Sequence, residues 1–328
     1  MKLLMSEQAR SRWAPRVAEV LEGRPFEILS IEQAVHEQRR DFDVAFISRD
    51  VTGNSSKYRV EPALQACYDL LLANPALKWV HIHSAGADRP VFLHLRDKGV
   101  TLTTSSGANA RVVATTAVAG VLSLARRFPM LWAQQQQRVW NPILGPGRMP
   151  CDLPGQRATI VGWGPIGQEV ARLLQALGLT ITAVRTQPTQ ACGGVEMVSY
   201  EDLPMVLPHT DWLLLACPLT SRTRAMVNGE FLAALPAQAH LINVARGEVV
   251  DEAALIEALL RGRLAGAFLD VFCQEPLPDE SPFWNLPNVI VTPHGAGHSD
   301  GNETRVAELF LDNLHRWTTA QPLLNRVP

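Results

Sequence analysis

The chain has 328 residues, enough for two domains with separate cores. A formal net charge of −2, with no blocks of like charge, gives neither nucleic acid nor an anionic membrane a surface to bind. The longest mostly apolar stretch, Val112 to Ala125, contains Thr115, Thr116 and Ser123 and is too short to span a bilayer. Met1 to Ser6 lacks the apolar run of a signal peptide. The cysteines (Cys67, Cys151, Cys192, Cys217, Cys273) are scattered and form no C-x-x-C, which points to reduced thiols in a cytoplasm.

The first hundred residues alternate. Lys2–Met5, Phe26–Leu29, Val44–Ser48, Trp79–His83 and Val100–Thr104 read as strands, with helices at Ala9–Leu21 and Pro62–Leu72. Such alternation implies a parallel sheet covered on both faces. Ser84-Ala85-Gly86-Ala87-Asp88 follows a strand, where backbone amides can hold a carboxylate or simply make a turn. Asn109 to Arg127 reads as a long helix, apolar over most of its surface and suited to burial or a subunit contact. The run 141–150, rich in proline and glycine, reads as a loop.

A second sheet begins at Ala158–Val161 and runs straight into Gly162-Trp163-Gly164-Pro165-Ile166-Gly167. Ile166, Val170, Leu173, Leu174 and Leu177 then mark one helix face, and Gly178 stops it. Strand, glycine turn and helix in this order make a dinucleotide site. Glycines let the backbone approach a pyrophosphate, and the helix N-terminus presents free N–H groups to it. The next strand, Thr180–Val184, ends in Arg185-Thr186, where an NAD site usually carries an acid. An arginine pairs with the 2′-phosphate that a carboxylate would repel, so NADP is the expected cofactor, with NAD possible. Further strands follow at Trp212–Ala216, Leu241–Ala245, Ala267–Val271 and Val289–Thr292. Helices are expected at Asp251–Arg261 and Asn302–Trp317. The last helix carries Val306, Leu309, Phe310, Asn313 and Leu314 on one side, and packs back on the first domain.

Arg246, Glu275 and His294 each fall at or just past a strand end of the second sheet. An arginine is a forked clamp for a carboxylate, a histidine passes protons near neutral pH, and a carboxylate beside it fixes the tautomer. Singly, each also has an ordinary explanation: a surface arginine, a paired glutamate, a loop histidine. His81-x-His83 puts two imidazoles on one strand face, but no third ligand is evident and a structural role is favoured, so no metal is expected. Gly295 and Gly297 keep His294 and His298 from sharing a helix face. There is no G-x-S-x-G pattern.

Together these blocks resemble the D-isomer-specific 2-hydroxyacid dehydrogenases. The match covers nearly the whole chain, most clearly residues 79 to 318. It is carried by Ser84–Asp88, the glycine loop, Cys217-Pro218-Leu219-Thr220 with Thr223, Leu241-Ile242-Asn243-Val244-Ala245-Arg246-Gly247, Leu269-Asp270-Val271-Phe272 through Glu275-Pro276, and Thr292-Pro293-His294. The resemblance implies an α/β fold of two doubly wound parallel-sheet domains. A Rossmann-type cofactor domain (106–294) is inserted into a flavodoxin-like substrate domain (1–105 and 295–328). It implies that Arg246 binds the substrate carboxylate and polarises the keto oxygen, that His294 is the acid, and that Glu275 holds the histidine. Cofactor contacts fall to Gly162, Gly164, Pro165, Ile166, Gly167, Arg185, Thr186, Cys217, Pro218, Thr223, Val244, Ala245, Asp270 (to the nicotinamide carboxamide) and His294. Ala85 and Gly86 give amides to the substrate. A cytoplasmic homodimer acting on a small 2-keto acid is expected.

Arg185 is similar to the NADPH-linked glyoxylate and hydroxypyruvate reductases of the family, and Glu275 argues against its formate dehydrogenases, which have glutamine there. Thr115 stands where glutamate often follows alanine. Two other readings stay open. One is a phosphoglycerate or longer-chain hydroxyacid dehydrogenase, for which only Arg49 and Arg89 offer extra cations near the first domain's strand ends. The other is a cofactor-sensing binding protein similar to the C-terminal binding protein corepressors, which carry segments beyond the core that this chain largely lacks.

Overall fold

A computed structural model describes residues 1–327 except 54, 56–59, 88, 146–148 and 188–192. In chain order its elements are β1 (Lys2–Met5), α1 (Glu7–Leu21), β2 (Glu27–Ser30), α2 (Ile31–His36), β3 (Val44–Ile47), α3 (Arg49–Thr52), α4 (Pro62–Leu72), β4 (Trp79–Ile82), α5 (Pro90–Asp97) and β5 (Thr101–Thr104). Next come α6 (Ala110–Ala125), α7 (Phe128–Gln136), β6 (Arg157–Val161), α8 (Pro165–Ala176), β7 (Thr180–Val184), β8 (Val195–Val198), α9 (Leu203–Val206) and β9 (Trp212–Leu215). The chain ends with α10 (Gly229–Ala233), β10 (His240–Asn243), α11 (Glu252–Leu260), β11 (Gly266–Leu269), β12 (Val289–Val291) and α12 (Asn302–Thr318). Contacts divide it into two units, 1–109 with 299–328, and 110–298; the breaks fall a few residues beyond the expected joints at 105/106 and 294/295. No described helix is long and apolar enough to cross a membrane.

The first unit holds a five-stranded parallel sheet in the order β2-β1-β3-β4-β5, the flavodoxin-like arrangement. Its strands are buried on both faces, so they read as near-continuous apolar runs. Alternate residues feed two cores: Val80 and Ile82 of β4 pack on one side, Trp79 on the other with Val306, Phe310, Leu311 and Leu314 of α12. Phe310 stacks on Phe46 (ring centroids 4.5 Å) and on Trp79 (5.5 Å). The buried side of α12 includes Leu311, whereas Leu309 is only partly covered.

The second unit holds seven parallel strands in the order β12-β11-β10-β9-β6-β7-β8. From β6 the chain runs outward through β7 and β8, then crosses back to β9 beside β6, pairing Ala158–Val161 with Trp212–Leu215. That reversal is a topological switch point, and the glycine turn sits at its carboxyl edge. Helix α6 buries Ala114, Ala117, Val121 and Leu124 with Ile160, Leu214 and Phe268 of the sheet. Arg127, at φ +60°, breaks α6 from α7. Helix α7 buries no residue, so the 3.6-residue pattern that reveals a helix is missing from its sequence. Helices α2, α3 and α5 are short, and each shows too little periodicity to be distinguished from a loop.

Candidate active site

The glycine turn is built by close packing. Gly162 adopts φ +107°, and a Cβ there would lie 2.6 Å from the Ala216 carbonyl oxygen at the end of β9. A Cβ at Gly167 would lie 2.0 Å from the Gly162 carbonyl oxygen, so helix and turn touch backbone to backbone. Gly164, by contrast, faces open space, in front of the first amides of α8 at Ile166 and Gly167. A backbone cradle with unfilled space before a helix N-terminus fits a pyrophosphate.

Around this cradle the other strand ends add their turns. At the end of β7, the Arg185 amide donates to the Val198 carbonyl (3.1 Å), and Trp163, Arg185, Thr186 and Gln187 line one open depression. Beyond β9, Cys217 is buried and its thiol is pushed up to about 11 by that burial. Thr223 locks the same turn: its hydroxyl donates to the Pro218 carbonyl (2.7 Å) and accepts from the Thr220 amide (2.8 Å). The expected cofactor residue Thr223 thus spends its hydroxyl on the turn itself.

After β10, Asn243 shapes the turn, a role its place in the sequence did not mark. It is 1 % exposed; its Nδ2 donates to the Arg246 carbonyl (3.1 Å) and its Oδ1 accepts from the Ala245 amide (3.0 Å). These bonds close the turn that presents Arg246, while Val244 and Ala245 stay buried. The half-buried Arg246 side chain donates from Nη1 to the Ala245 carbonyl (2.7 Å). An Asn two residues before the amide it captures is a turn signal, legible in principle as Asn243-Val244-Ala245.

After β11 and β12 the expected acid, His294, and its expected carboxylate partner, Glu275, come together. His294 Nδ1 lies 2.8 Å from Glu275 Oε2, and Glu275 Oε1 accepts from the Phe272 amide (3.1 Å). A carboxylate can only accept, so Nδ1 carries a proton, and Nε2 is the ring nitrogen not engaged by Glu275. Burial pushes the Glu275 carboxyl up, but the hydrogen bond and charge of His294, the Phe272 amide and the charge of Arg246 together hold it below its ordinary value. All three expected chemical residues lie in one unit, with His294 bonded to Glu275 and the charge of Arg246 felt by that carboxylate. The backbone at His294 has φ +50°, the left-handed region, which side-chain-bearing residues seldom adopt. The turn around it, 292–296, is held by Asp270 from one side and by Thr116 Oγ1, which donates to the Ala296 carbonyl (3.2 Å), from the other. Thr115, one position away, is exposed and bonds the Arg111 carbonyl of its own helix (2.7 Å). His298 shares no helix with His294.

Ala85 and Gly86 belong to the first unit, in the loop after β4, where Ser84 Oγ donates to the Gly86 carbonyl (2.7 Å); Asp88 lies outside the described residues. His81 is buried between Thr103 Oγ1 (2.8 Å) and Ser105 Oγ (3.1 Å), and no metal-ligand cluster occurs among the described residues. Arg89 is committed to the Tyr68 hydroxyl and the Ser55 carbonyl.

Comparison with known proteins shows the family. Residues 118–296 match the profile of the D-isomer specific 2-hydroxyacid dehydrogenase NAD binding domain. The chain is 35 % identical over 251 residues to a glyoxylate reductase of Korarchaeum cryptofilum, covering 74 % of this chain and 73 % of that one. A D-isomer specific 2-hydroxyacid dehydrogenase of Xanthobacter autotrophicus Py2, solved with NADPH and MES, superimposes with TM-score 0.76 at 29 % identity over 100 % of this chain and 98 % of the other. An NADPH-dependent glyoxylate/hydroxypyruvate reductase of Sinorhizobium meliloti, solved with NADP and sulfate, gives TM-score 0.74 at 27 % identity over 99 % and 98 % of the two chains. With a histidine–carboxylate pair and an arginine at the strand ends beside a glycine cradle, the chain belongs to the D-isomer specific 2-hydroxyacid dehydrogenases, nicotinamide-dependent oxidoreductases of 2-hydroxy and 2-keto acids.

Proposed function

We propose that the chain reduces a small 2-keto acid of the glyoxylate and hydroxypyruvate class, with NADPH preferred over NADH. The observation that carries the reading is the 2.8 Å pair of His294 Nδ1 and Glu275 Oε2, close enough to Arg246 for its charge to act on the carboxylate. The Arg246 guanidinium takes the substrate carboxylate and draws electron density toward the keto oxygen. His294 gives that oxygen a proton from Nε2, and Glu275 stabilises the charged imidazole and fixes its tautomer. A reduced nicotinamide, when bound, would supply the hydride for C2. In the reverse direction His294 takes the hydroxyl proton. The cradle at Gly162–Gly167 and the turn at Cys217–Pro218 would hold the dinucleotide.

The NADPH preference is supported by Arg185 and Thr186 in the depression beside Trp163, where no acidic residue lines the wall among the described residues. A homodimer is supported by the apolar side chains exposed on α7 and the segment after it: Phe128, Trp132, Val139, Trp140, Leu144 and Met149. A cytoplasmic setting is supported by Cys67, Cys151, Cys217 and Cys273, none of which forms a disulfide. Cys192 lies outside the described residues.

The test is a panel of 2-keto acids, from glyoxylate and hydroxypyruvate to phenylpyruvate and a phosphorylated analogue, each with NADPH and NADH. Loss of reduced-cofactor absorbance reports turnover. Highest kcat/KM for glyoxylate or hydroxypyruvate with NADPH supports the assignment; a larger or phosphorylated acid as best substrate defeats it.

A further inference from the structure

The turn 272–275, which follows β11, carries Glu275, and Glu275 Oε1 reaches back to the Phe272 amide of that same turn (3.1 Å). This bond fixes the side chain within its turn, and a further contact must fix the turn within the unit. Glu252, in the first turn of α11, supplies one: its Oε1 accepts from the Cys273 amide (2.7 Å), across 21 residues of chain. Gly247 lets the two segments touch, since a Cβ there would lie 1.9 Å from the Phe272 carbonyl carbon and 2.3 Å from the Cys273 nitrogen. The turn that presents Arg246 and the turn that carries Glu275 are thus packed backbone to backbone, with Glu252 bonded across the contact.

An acid in the first turn of a helix is ordinarily a solvated group that favours the dipole. Here Asp251 already caps α11 by accepting from the Ala254 amide (3.1 Å). Glu252 is half-buried, and burial pushes its carboxyl up against the pull of the Cys273 amide. The segment that bears it is held on its other side. The Ala225 and Val227 amides donate to the carbonyls of Glu248 (2.8 Å) and Val249 (3.1 Å), and the Asp251 amide donates to the Val227 carbonyl (3.0 Å). Glu252 is therefore an anchored acceptor to which the 272–275 turn is tied.

We propose that Glu252 is a positioning residue for the acid pair: by accepting from the Cys273 amide it sets where Glu275 stands relative to Arg246 and His294. The inference rests on the reading of His294 as the acid and Glu275 as its partner. Release of the bond lets the 272–275 turn move off Gly247, and Glu275 loses its alignment with His294 Nδ1. What matters is the reach of an acceptor oxygen, not the charge of Glu252.

The experiment uses the full chain with Glu252→Asp, Glu252→Gln and Glu275→Gln. E252D keeps the charge and shortens the arm by one methylene, whereas E252Q keeps the arm and an acceptor oxygen and loses the charge. Keto-acid reduction is followed as a function of pH. Fluorescence titration with NADPH gives its Kd and the number of sites, and kcat is taken per site so that a poorly folding variant still reports. E252D loses kcat roughly 10- to 100-fold, as when a group is misplaced by about 1 Å, with cofactor Kd within about twofold of the wild type. A carboxylate beside an imidazole favours its charged form, so the alkaline fall of the E252D rate profile moves to lower pH, toward that of E275Q. E252Q keeps the wild-type profile and a kcat within about threefold. Wild-type kcat and profile in E252D overturn the inference. So does a loss in E252D that is matched by lost sites while the profile stays put, because a residue that only stabilises the fold acts in that way. Equal impairment of E252Q and E252D overturns it too, since charge would then be the cause. An E275Q enzyme that matches the wild type in rate and profile instead overturns the underlying reading of the pair.

Discussion

His294 and Glu275 form one unit: Nδ1 meets Oε2 at 2.8 Å, while the other carboxylate oxygen is tied to the Phe272 amide. The imidazole is half exposed and the carboxylate largely covered, so the ring is the member of the pair that solvent reaches more freely. His294→Ala should lower kcat by roughly 10²–10⁴-fold, the range of a lost general acid, while leaving cofactor affinity in place. Near-normal turnover in a stopped assay of the purified variant would remove the histidine from the mechanism.

Glu275→Gln separates tautomer control from charge. Because the Glu275 carboxyl is held below its ordinary value of 4.5, its contribution to stability is present above that pH and is lost as pH falls through the lower folded value. The thermal midpoints of wild type and E275Q should therefore differ above about pH 5 and converge in acid below about pH 4. The gap is small, since His294 is 51 % exposed and solvent screens the pair. A gap that widens as the pH falls contradicts the sign.

Arg246→Lys keeps a charge but loses the planar fork. If Arg246 clamps and polarises the keto acid, kcat/KM should fall by roughly 10²–10³-fold, as when one polarising donor is lost. Unaltered steady-state constants would rule out the clamp.

Arg185→Asp should turn the cofactor preference. Removing one charge-assisted contact to the 2′-phosphate and adding a repulsive carboxylate should shift the NADPH:NADH ratio of kcat/KM by about 10–100-fold toward NADH. An unchanged ratio means that the phosphate is read elsewhere.

His81 supplies an independent pH test in the first unit. It lies between Thr103 and Ser105 and against the rings of Phe46, Trp79 and Phe310. Burial, with a smaller push from His83, brings its pKa down to about 3 from 6.5. The folded state thus refuses a proton that the unfolded chain accepts. The stability of the neutral form is complete above pH 6.5 and drains away as pH falls toward 3. Urea unfolding should weaken between pH 6 and 4, and His81→Gln should flatten that slope by about 1.4 kcal/mol per pH unit, one proton's worth. An equal slope in both proteins would show that His81 is not held neutral.

Much of this molecule is legible from local chemistry. The strands were readable because parallel strands buried on both faces are apolar throughout, and β1, β7 and α4 begin and end where the pattern says. The glycine turn was readable because only glycine survives the approach seen at Gly162 and Gly167. Helix α7 was not, because none of its residues is buried and no periodic stripe marks it. Thr115 drew attention as a departure from a pattern, yet its neighbour Thr116 holds the histidine turn, and one residue of helix rotation decides which of the two faces Ala296.

The order of residues, taken alone, determined two parallel-sheet units and a strand–glycine turn–helix cradle, which depend on periodicity and glycine freedom. It offered Arg246, Glu275 and His294 as candidates at strand ends, and only the family resemblance gave them the roles of clamp, partner carboxylate and acid. Only the tertiary structure decided what Asn243, Glu252 and Asp270 do. Their partners are backbone groups that become neighbours when β10, β11 and β12 align in register, and Asp270 meets Ala296 across 26 residues of chain. Hydrogen bonds of that kind are set by where strands end in space, which the spacing of letters along a chain does not contain.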